Sequence, residues 1–399
     1  MTSVSLSVSW VKTAFYTGFI GLCRGGFPVD GAYDMATIYD VAQLAGVSPK
    51  TVSRVLNADP AVGATTRAAV QEAMAQLAFT PSNAARMLRS NKSGLVGLIT
   101  GAISGVTAPN QQNAVIGLPD LFIVQGIQEA IAQTEMTLMI ADTGGRADRV
   151  PHLIQTFLRH RVEGLIYVAD HHQRVTLPPI PKATPMVLAN CYDLIGTPSV
   201  LPDDTRGQCD LVNRLIAAGH RRIGYLTLRP DVQATPLRTA GYAMALGGAG
   251  IGYDPDLVQA CELDSAEAES QLLWDTIDRM LRLPVPPTVL CCGNDKMALR
   301  VYGILRSRGL RLPDEISVAG YDNYRVIAET LYPPLTTVDL PYAAIGVRAT
   351  QRLMALIAGG DQTERPPTLV AGPVHWRNSV TDQSASTITK LKIVREDYQ

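Results

Sequence analysis

Two kinds of apolar periodicity divide the chain. From Thr37 onward the apolar residues Ile38, Val41, Ala42 and Ala45 fall on one helical face. Thr37 stands where a cap belongs, and Gly46 follows where a helix stops and the backbone turns left-handed. Ser48 caps a second helix with Pro49 in its first turn, and Val52, Val55 and Leu56 form its apolar face. A third helix is expected from residue 65 or 66 to residue 77, with Val70, Met74 and Leu77 inward. Beyond Gly94 short β-rich runs alternate with longer helical segments. Strands are expected at 95–99, 137–141, 164–169, 185–189, 222–227, 288–292 and 316–321. Helices are expected at 121–133, 147–160, 206–218, 265–282, 294–308 and 343–358. Near-continuous apolar strands separated by helices imply parallel sheets covered on both faces. The length of this region implies two doubly wound lobes, whose ligands sit outside the carboxyl ends of the strands, in the cleft between them.

Composition adds a division of charge. The 399 residues carry a net charge of −1, with 46% hydrophobic and 18% charged residues, enough for a sizeable core. Between Met35 and Lys92 six cations (Lys50, Arg54, Arg67, Arg86, Arg89, Lys92) face three anions (Asp40, Asp59, Glu72), and the remainder is acidic. A basic head on an acidic body is the distribution of a DNA-binding module with a separate sensor. The six cysteines make no CxxC pair or zinc-spaced cluster, so buried, reduced thiols are expected, with no metal and no cofactor. No apolar run reaches the ~20 residues of a membrane span. The stretch 10–27 is apolar and aromatic but lacks the basic start and clean apolar core of a signal peptide, and a well-formed domain start follows Met35. Met35 is therefore expected to be the native initiator.

The first two helices, joined by a very short turn, form a helix-turn-helix with Ala42 where they must cross closely. The second presents Pro49, Lys50 and Arg54 to base edges, and Ser48, Thr51, Ser53 and Asn57 to phosphates, with Thr37 at the start of the first. Pattern alone leaves this open, since any short amphipathic helix pair looks alike. The run ATIYDVAQLAGVSPKTVSRVLN (36–57), however, closely resembles the start of the lactose-repressor/galactose-repressor family of transcriptional regulators. TPSNAARMLRS (80–90) continues the resemblance, which implies a hinge helix that folds on the operator. There Asn83, Arg86 and Arg89 would contact DNA, and Leu88 would wedge a central base step in the minor groove. An ordinary amphipathic linker with Leu88 packed on the core is the alternative. Residues 91–94 read as a flexible joint.

The body carries the same resemblance, in DDTRGQCDLVNRLIAAGHRRIGYLT (203–227), RTAGYAMAL (238–246), CGNDKMALRVYGILRSRGL (292–310), ISVAGYDN (316–323), PPLTTVDLPYAAIG (333–346) and Arg377-Asn378-Ser379. It implies a small all-α helix-turn-helix head plus an α/β two-lobed, periplasmic-binding-protein-like core. Five segments follow: an extension (1–34), head (35–80), hinge and linker (81–93), core (94–380) and tail (381–399). By position the resemblance assigns effector contact to Arg238, expected to open a helix, and to Asp295, after the strand at 288–292; an ion pair between them is the alternative. Asp142, Asn190, Tyr321 and Asp322 are further candidates, each expected just after a strand. Between residues 100 and 122 the chain departs from the family with a longer loop, whose Asn110, Gln111, Gln112 and Asn113 could line the pocket or be solvated.

The implied partners are double-stranded operator DNA, a small-molecule effector of carbohydrate type and a second copy of the chain, as a homodimer or a tetramer, in the cytoplasm and without a membrane. No GxSxG, P-loop or HExxH supports an enzyme, and His171-His172 is expected in a loop without a metal partner. The competing reading is a solute-binding receptor for a transporter, which shares the two-lobed fold but has no use for the head.

Overall fold

The computed structural model describes residues 36–80, 92–101, 118–263, 265–360 and 366–383. They fall into two units that divide between Asn91 and Lys92. The hinge candidates Asn83, Arg86, Leu88 and Arg89, residues 1–34, the loop glutamines and asparagines (110–113) and most of the tail lie outside the described residues.

In the first unit α1 (Ile38–Leu44), α2 (Pro49–Leu56) and α3 (Ala64–Gln76) surround a small core of Val41, Ala42, Val52, Val55, Val62, Val70 and Ala73. Met74 and Leu77, expected inside, are only partly buried, and Ala73 takes the central place of the third helix. Thr37 caps α1 through a full capping box: its hydroxyl accepts the Asp40 N–H, and the Asp40 carboxylate accepts the Thr37 N–H at 2.7 Å. Gly46, at φ +67°, lets the chain reverse in one step, so that the Val47 N–H reaches back to Ala42 O at 2.9 Å. Ser48 caps α2 at 3.1 Å from the Thr51 N–H.

The second unit has two six-stranded sheets. The first lobe contains β1 (Leu95–Thr100), β2 (Thr137–Asp142), β3 (Gly164–Arg174), β4 (Met186–Tyr192), β5 (Ser199–Pro202) and β11 (Thr368–Val370), in the order β11-β5-β4-β3-β1-β2. Its helices are α4 (Leu118–Ile131), α5 (Val150–Arg159) and α11 (Tyr342–Ile357). The second lobe contains β6 (Ile223–Thr227), β7 (Val258–Ala260), β8 (Val289–Cys292), β9 (Ser317–Asp322), β10 (Thr336–Asp339) and β12 (Val374–His375), in the order β12-β10-β9-β8-β6-β7. Its helices are α6 (Asp204–Ala217), α7 (Ala234–Gly248), α8 (Ala266–Leu281), α9 (Asp295–Ser307) and the short α10 (Arg325–Ala328). All described pairings are parallel except β10 with β12. The chain passes between the lobes after β5, after β10 and again between β11 and β12, so each lobe is completed by segments distant in sequence.

Every strand and helix expected from periodicity is present. Several boundaries differ, and these matter for the site. The helix expected from 121 begins at Leu118, so the end of the unusual loop is helical. β3 and β4 run on to Arg174 and Tyr192, so His171, His172 and Asn190 lie inside strands. Arg238 sits in the second turn of α7 instead of opening it, and Asp295 is the first residue of α9. The thiols follow the expectation at Cys191, Cys261, Cys291 and Cys292, which are buried, whereas Cys209 is half-buried. Burial pushes Cys261 up to about 11 and Cys291 up to about 12, so both stay protonated.

Candidate functional site

The head presents one polar helix face. On α2, Lys50, Arg54 and Asn57 are exposed, while Pro49, Thr51 and Ser53 are half-buried. Several of these groups already have local partners. The Ser48 and Thr51 hydroxyls bond to each other at 2.9 Å, and the Asn57 amide donates to Ser53 O at 2.5 Å. Arg54 Nε lies 2.8 Å from Asp59, which holds that carboxyl below the usual range. This contact was missed in the sequence, although Asp59 stands five residues on. Thr37 spends its hydroxyl on the α1 cap, and Lys50 has no ion-pair partner among the described residues.

The interlobe cavity has a volume of about 640 Å³, within the usual range for small-molecule sites. Phe122 and the α11 start at Tyr342 line it from the first lobe, with crossover residues Leu340 and Pro341, and Lys296, Asp322 and Tyr324 line it from the second. Its walls are mainly apolar, and the polar groups are few. Burial pushes the Asp322 carboxyl up to about 7, against the opposing pull of the Arg238 and Lys296 charges.

Behind Asp322 lies a buried chain of charges. Arg238 Nε donates to Asp204 Oδ1 at 2.7 Å and its Nη1 to Gly293 O at 2.7 Å, and the guanidinium lies 3.6 Å from the Tyr321 ring centre. His172 Nδ1 lies 3.0 Å from the other oxygen of Asp204. A register shift between β3 and β4 turns His172 inward while Asp170 and His171 stay exposed. His172 belongs to the first lobe and Asp204 to the second, so this bond joins them. Burial alone would raise the Asp204 carboxyl; the Arg238 charge and the His172 bond hold it below the usual range.

The structure corrects three expectations here. Arg238 and Asp295 do not pair with each other, because Arg238 is matched by Asp204. Asp295, expected at the cavity, is fully buried and outside its lining, with one oxygen on the Thr337 hydroxyl and the other on the Tyr324 N–H, both at 2.7 Å. His172 is partnered, not idle in a loop. Of the further candidates, Asp322 faces the cavity and Tyr321 is buried beneath it. Asn190 is buried in β4 at φ +60°, its amide donating to Ala169 O while its Oδ1 has no partner. Asp142 ends β2, an outer strand, and does not line the cavity. Phe122, Lys296 and Tyr342 were not singled out. Their signal was positional: each stands in the first turns of a helix that follows a strand, and Tyr342 also follows an interlobe crossing.

Among the described residues no group of acidic, His or Cys side chains is placed to hold a metal, and no helix is long and apolar enough to cross a membrane.

Comparison with known proteins agrees over both units. The profile of bacterial regulatory proteins of the lacI family matches residues 37–82, and that of a periplasmic binding protein-like domain matches residues 212–380. The chain is 31% identical over 327 residues to the HTH-type transcriptional repressor PurR of Aliivibrio salmonicida, covering 81% of this chain and 92% of that one. It is 30% identical over 346 residues to the ribose operon repressor of Haemophilus influenzae, covering 85% and 96%. Among solved structures, the lac repressor dimer bound to operator and the anti-inducer ONPF is 26% identical, with a TM-score of 0.64, covering 87% of this chain and 99% of that one. A helix-turn-helix head, a two-lobed core and relatives aligned over nearly their whole length lead to one conclusion: the chain belongs to the lacI family of bacterial regulatory proteins.

Proposed function

We propose that this protein is a cytoplasmic repressor of a catabolic operon that grips a pseudo-palindromic operator as a homodimer and changes its affinity when a small polar metabolite, a sugar or sugar derivative, fills the interlobe cavity. The observation that carries this reading is one chain holding both a capped helix-turn-helix and a separate two-lobed unit with a cavity of about 640 Å³. Each α2 enters the major groove. Lys50 and Pro49 meet base edges, and Ser48, Thr51, Ser53 and Asn57 set register on phosphates, with Thr37 beside them. Arg54 joins Lys50 by exchanging Asp59 for guanine or phosphate; a solvent-screened pair of this kind is weak, so the exchange is easy. Asn83, Arg86 and Arg89 hold the hinge on DNA, and Leu88 wedges the central step.

In the cavity Asp322 meets effector hydroxyls; Asn190, outside the cavity lining but with an unpartnered buried oxygen, is the candidate acceptor in the first lobe. Arg238 supports Asp322 from behind. Effector binding shifts the lobes and, through the connecting segment, the DNA-binding heads, with a coupling of ~1–3 kcal/mol as in typical allostery. The ribose and sucrose operon repressors among its relatives favour a carbohydrate. A transporter receptor is disfavoured by the head, and the repressor relatives favour a protein without enzymatic activity.

The test is footprinting of the full chain on DNA upstream of its own and neighbouring genes, repeated with ribose, sucrose and a panel of other neutral sugars. A protected palindrome whose occupancy changes with one sugar is expected. Absence of any protected palindrome would sink the local-repressor reading, and an operator indifferent to every sugar would sink the carbohydrate part.

A further inference from the structure

Asp322 reaches the cavity on a turn that its own backbone disfavours. φ is +113° at Asp322 and +51° at Asn323, and neither residue is glycine. Two such residues in succession persist only where the surroundings over-determine them. The surroundings here converge on Asp295. This carboxyl, in the first turn of α9, accepts the Tyr324 N–H on one oxygen and the Thr337 hydroxyl on the other. The Thr337 oxygen in turn accepts the Asn323 N–H at 3.3 Å. The Asn323 side chain is held from its far side, donating to Asp339 at 2.9 Å and accepting from Arg377 at 2.8 Å. Gly320 completes the arrangement: a Cβ there would collide with the Asp295 carboxylate, so the strand leaves open the space the carboxylate fills.

We propose that Asp295 is a positioning residue, whose buried carboxyl clamps the strained turn at residues 322–324 and so presents the Asp322 carboxyl to the cavity. The inference rests on the reading of that cavity as the effector site, and it gives Asp295 a role without contact. Removal of the clamp lets Asp322 relax toward an ordinary backbone angle and swing toward water. The charges acting on Asp322 are Arg238 and Lys296, which favour its ionised form, and Asp204 and Glu262, which oppose it, as does Asp295 itself whenever it is ionised.

The test needs no effector, so its failure is distinguishable from failure of the cavity reading, which would show as an effector response left unchanged by substitution of a cavity-lining residue such as Phe122. Full-length protein labelled with ¹³C-aspartate is titrated by NMR, with the Asp322 signal assigned by its loss in Asp322→Asn. In the wild type the carboxyl titrates at about 7. In Asp295→Ala the midpoint falls toward the ordinary ~3.9. Thr337→Val removes one arm of the clamp and leaves every charge in place, so a fall in the same direction separates geometry from charge. Amide exchange at Asn323 and Tyr324 rises on the order of tenfold, as loss of a buried hydrogen bond predicts, while the interiors of β8 and β9 keep their protection. A midpoint that coincides with wild type in Thr337→Val would overturn the proposal. So would exchange in that variant rising evenly through β8 and β9, the mark of a general loss of stability. Thr337→Val carries the test alone if Asp295→Ala does not fold.

Discussion

The head and the cleft place their functional groups by opposite routes. In the head, residues 48–57 form one helix with its cap, and the polar face follows from spacing alone. In the cleft, Asp322 ends one strand, Tyr342 opens a helix after a crossover and Arg238 approaches from α7. The head's groups are exposed or half-buried and weakly partnered, whereas Asp204, Arg238 and Asp295 behind the cavity are buried and engaged. The difference teaches where a substitution should be felt: in the head as lost recognition with modest loss of stability, behind the cavity as lost stability.

The sharpest way to break this contrast is at Asp204. Its removal leaves the Arg238 guanidinium buried without a counter-ion and cuts the His172 bond between the lobes. Unpairing one partner of a buried ion pair costs about 3–5 kcal/mol. Asp204→Ala should therefore lower the urea midpoint of the core strongly. Arg238→Met in the same background should restore part of the loss by removing the orphaned charge. Equal stability of Asp204→Ala and wild type would show that the chain of charges contributes nothing.

Ala42→Leu is the matching test in the head. Ala42 is buried at the crossing of α1 and α2, and overpacking such a site costs about 1–3 kcal/mol. Operator binding should be lost while the core keeps its unfolding transition, because the two units divide at Asn91. A parallel loss in the core would contradict the separation of roles.

The legibility of the two sites differs for the same reason. Thr37, Gly46, Ser48 and Pro49 act within a few residues of themselves, so caps and turn could be read directly from the order of residues. The strands of both lobes were also legible, since each is a short apolar run between turn signals. Short β5, β7, β10, β11 and β12 were not, because runs of two to four residues carry too little pattern. Resemblance pointed to Asp295 and Arg238 by position, but whether a carboxylate faces a cavity or a threonine hydroxyl depends on β10, some forty residues away. The Asp204 partner of Arg238 and the inward turn of His172 depend likewise on packing between α6, α7 and the shifted β3–β4 register.

A smaller effect is expected from proton linkage at Asp322. Folded, this carboxyl holds its proton up to about 7, against an ordinary value of 3.8. The folded chain thus binds more protons than the unfolded one between those limits, and stability falls as pH rises from about 4 to about 7, then levels off. Asp322 is only half-buried, so the change is on the order of 1–2 kcal/mol after allowance for solvent. Denaturation midpoints measured from pH 4 to 8 should decline less steeply in Asp322→Asn. Parallel profiles would mean that water, not the cavity wall, sets this group's titration.

The smallest effect tests the head's local code. Ser48 caps α2 through the Thr51 N–H and also bonds the Thr51 hydroxyl. Replacing such a cap by alanine costs about 1 kcal/mol, and aspartate, an equally good cap, should keep it. The two variants therefore separate folding from recognition. Ser48→Ala weakens both the head and operator binding, while Ser48→Asp leaves the head folded but sets a negative charge beside the phosphates. Operator affinity that follows head stability in both variants would make Ser48 a cap alone. Affinity lost in Ser48→Asp with the helix intact would place its hydroxyl against DNA, as its position at the start of the exposed face predicts.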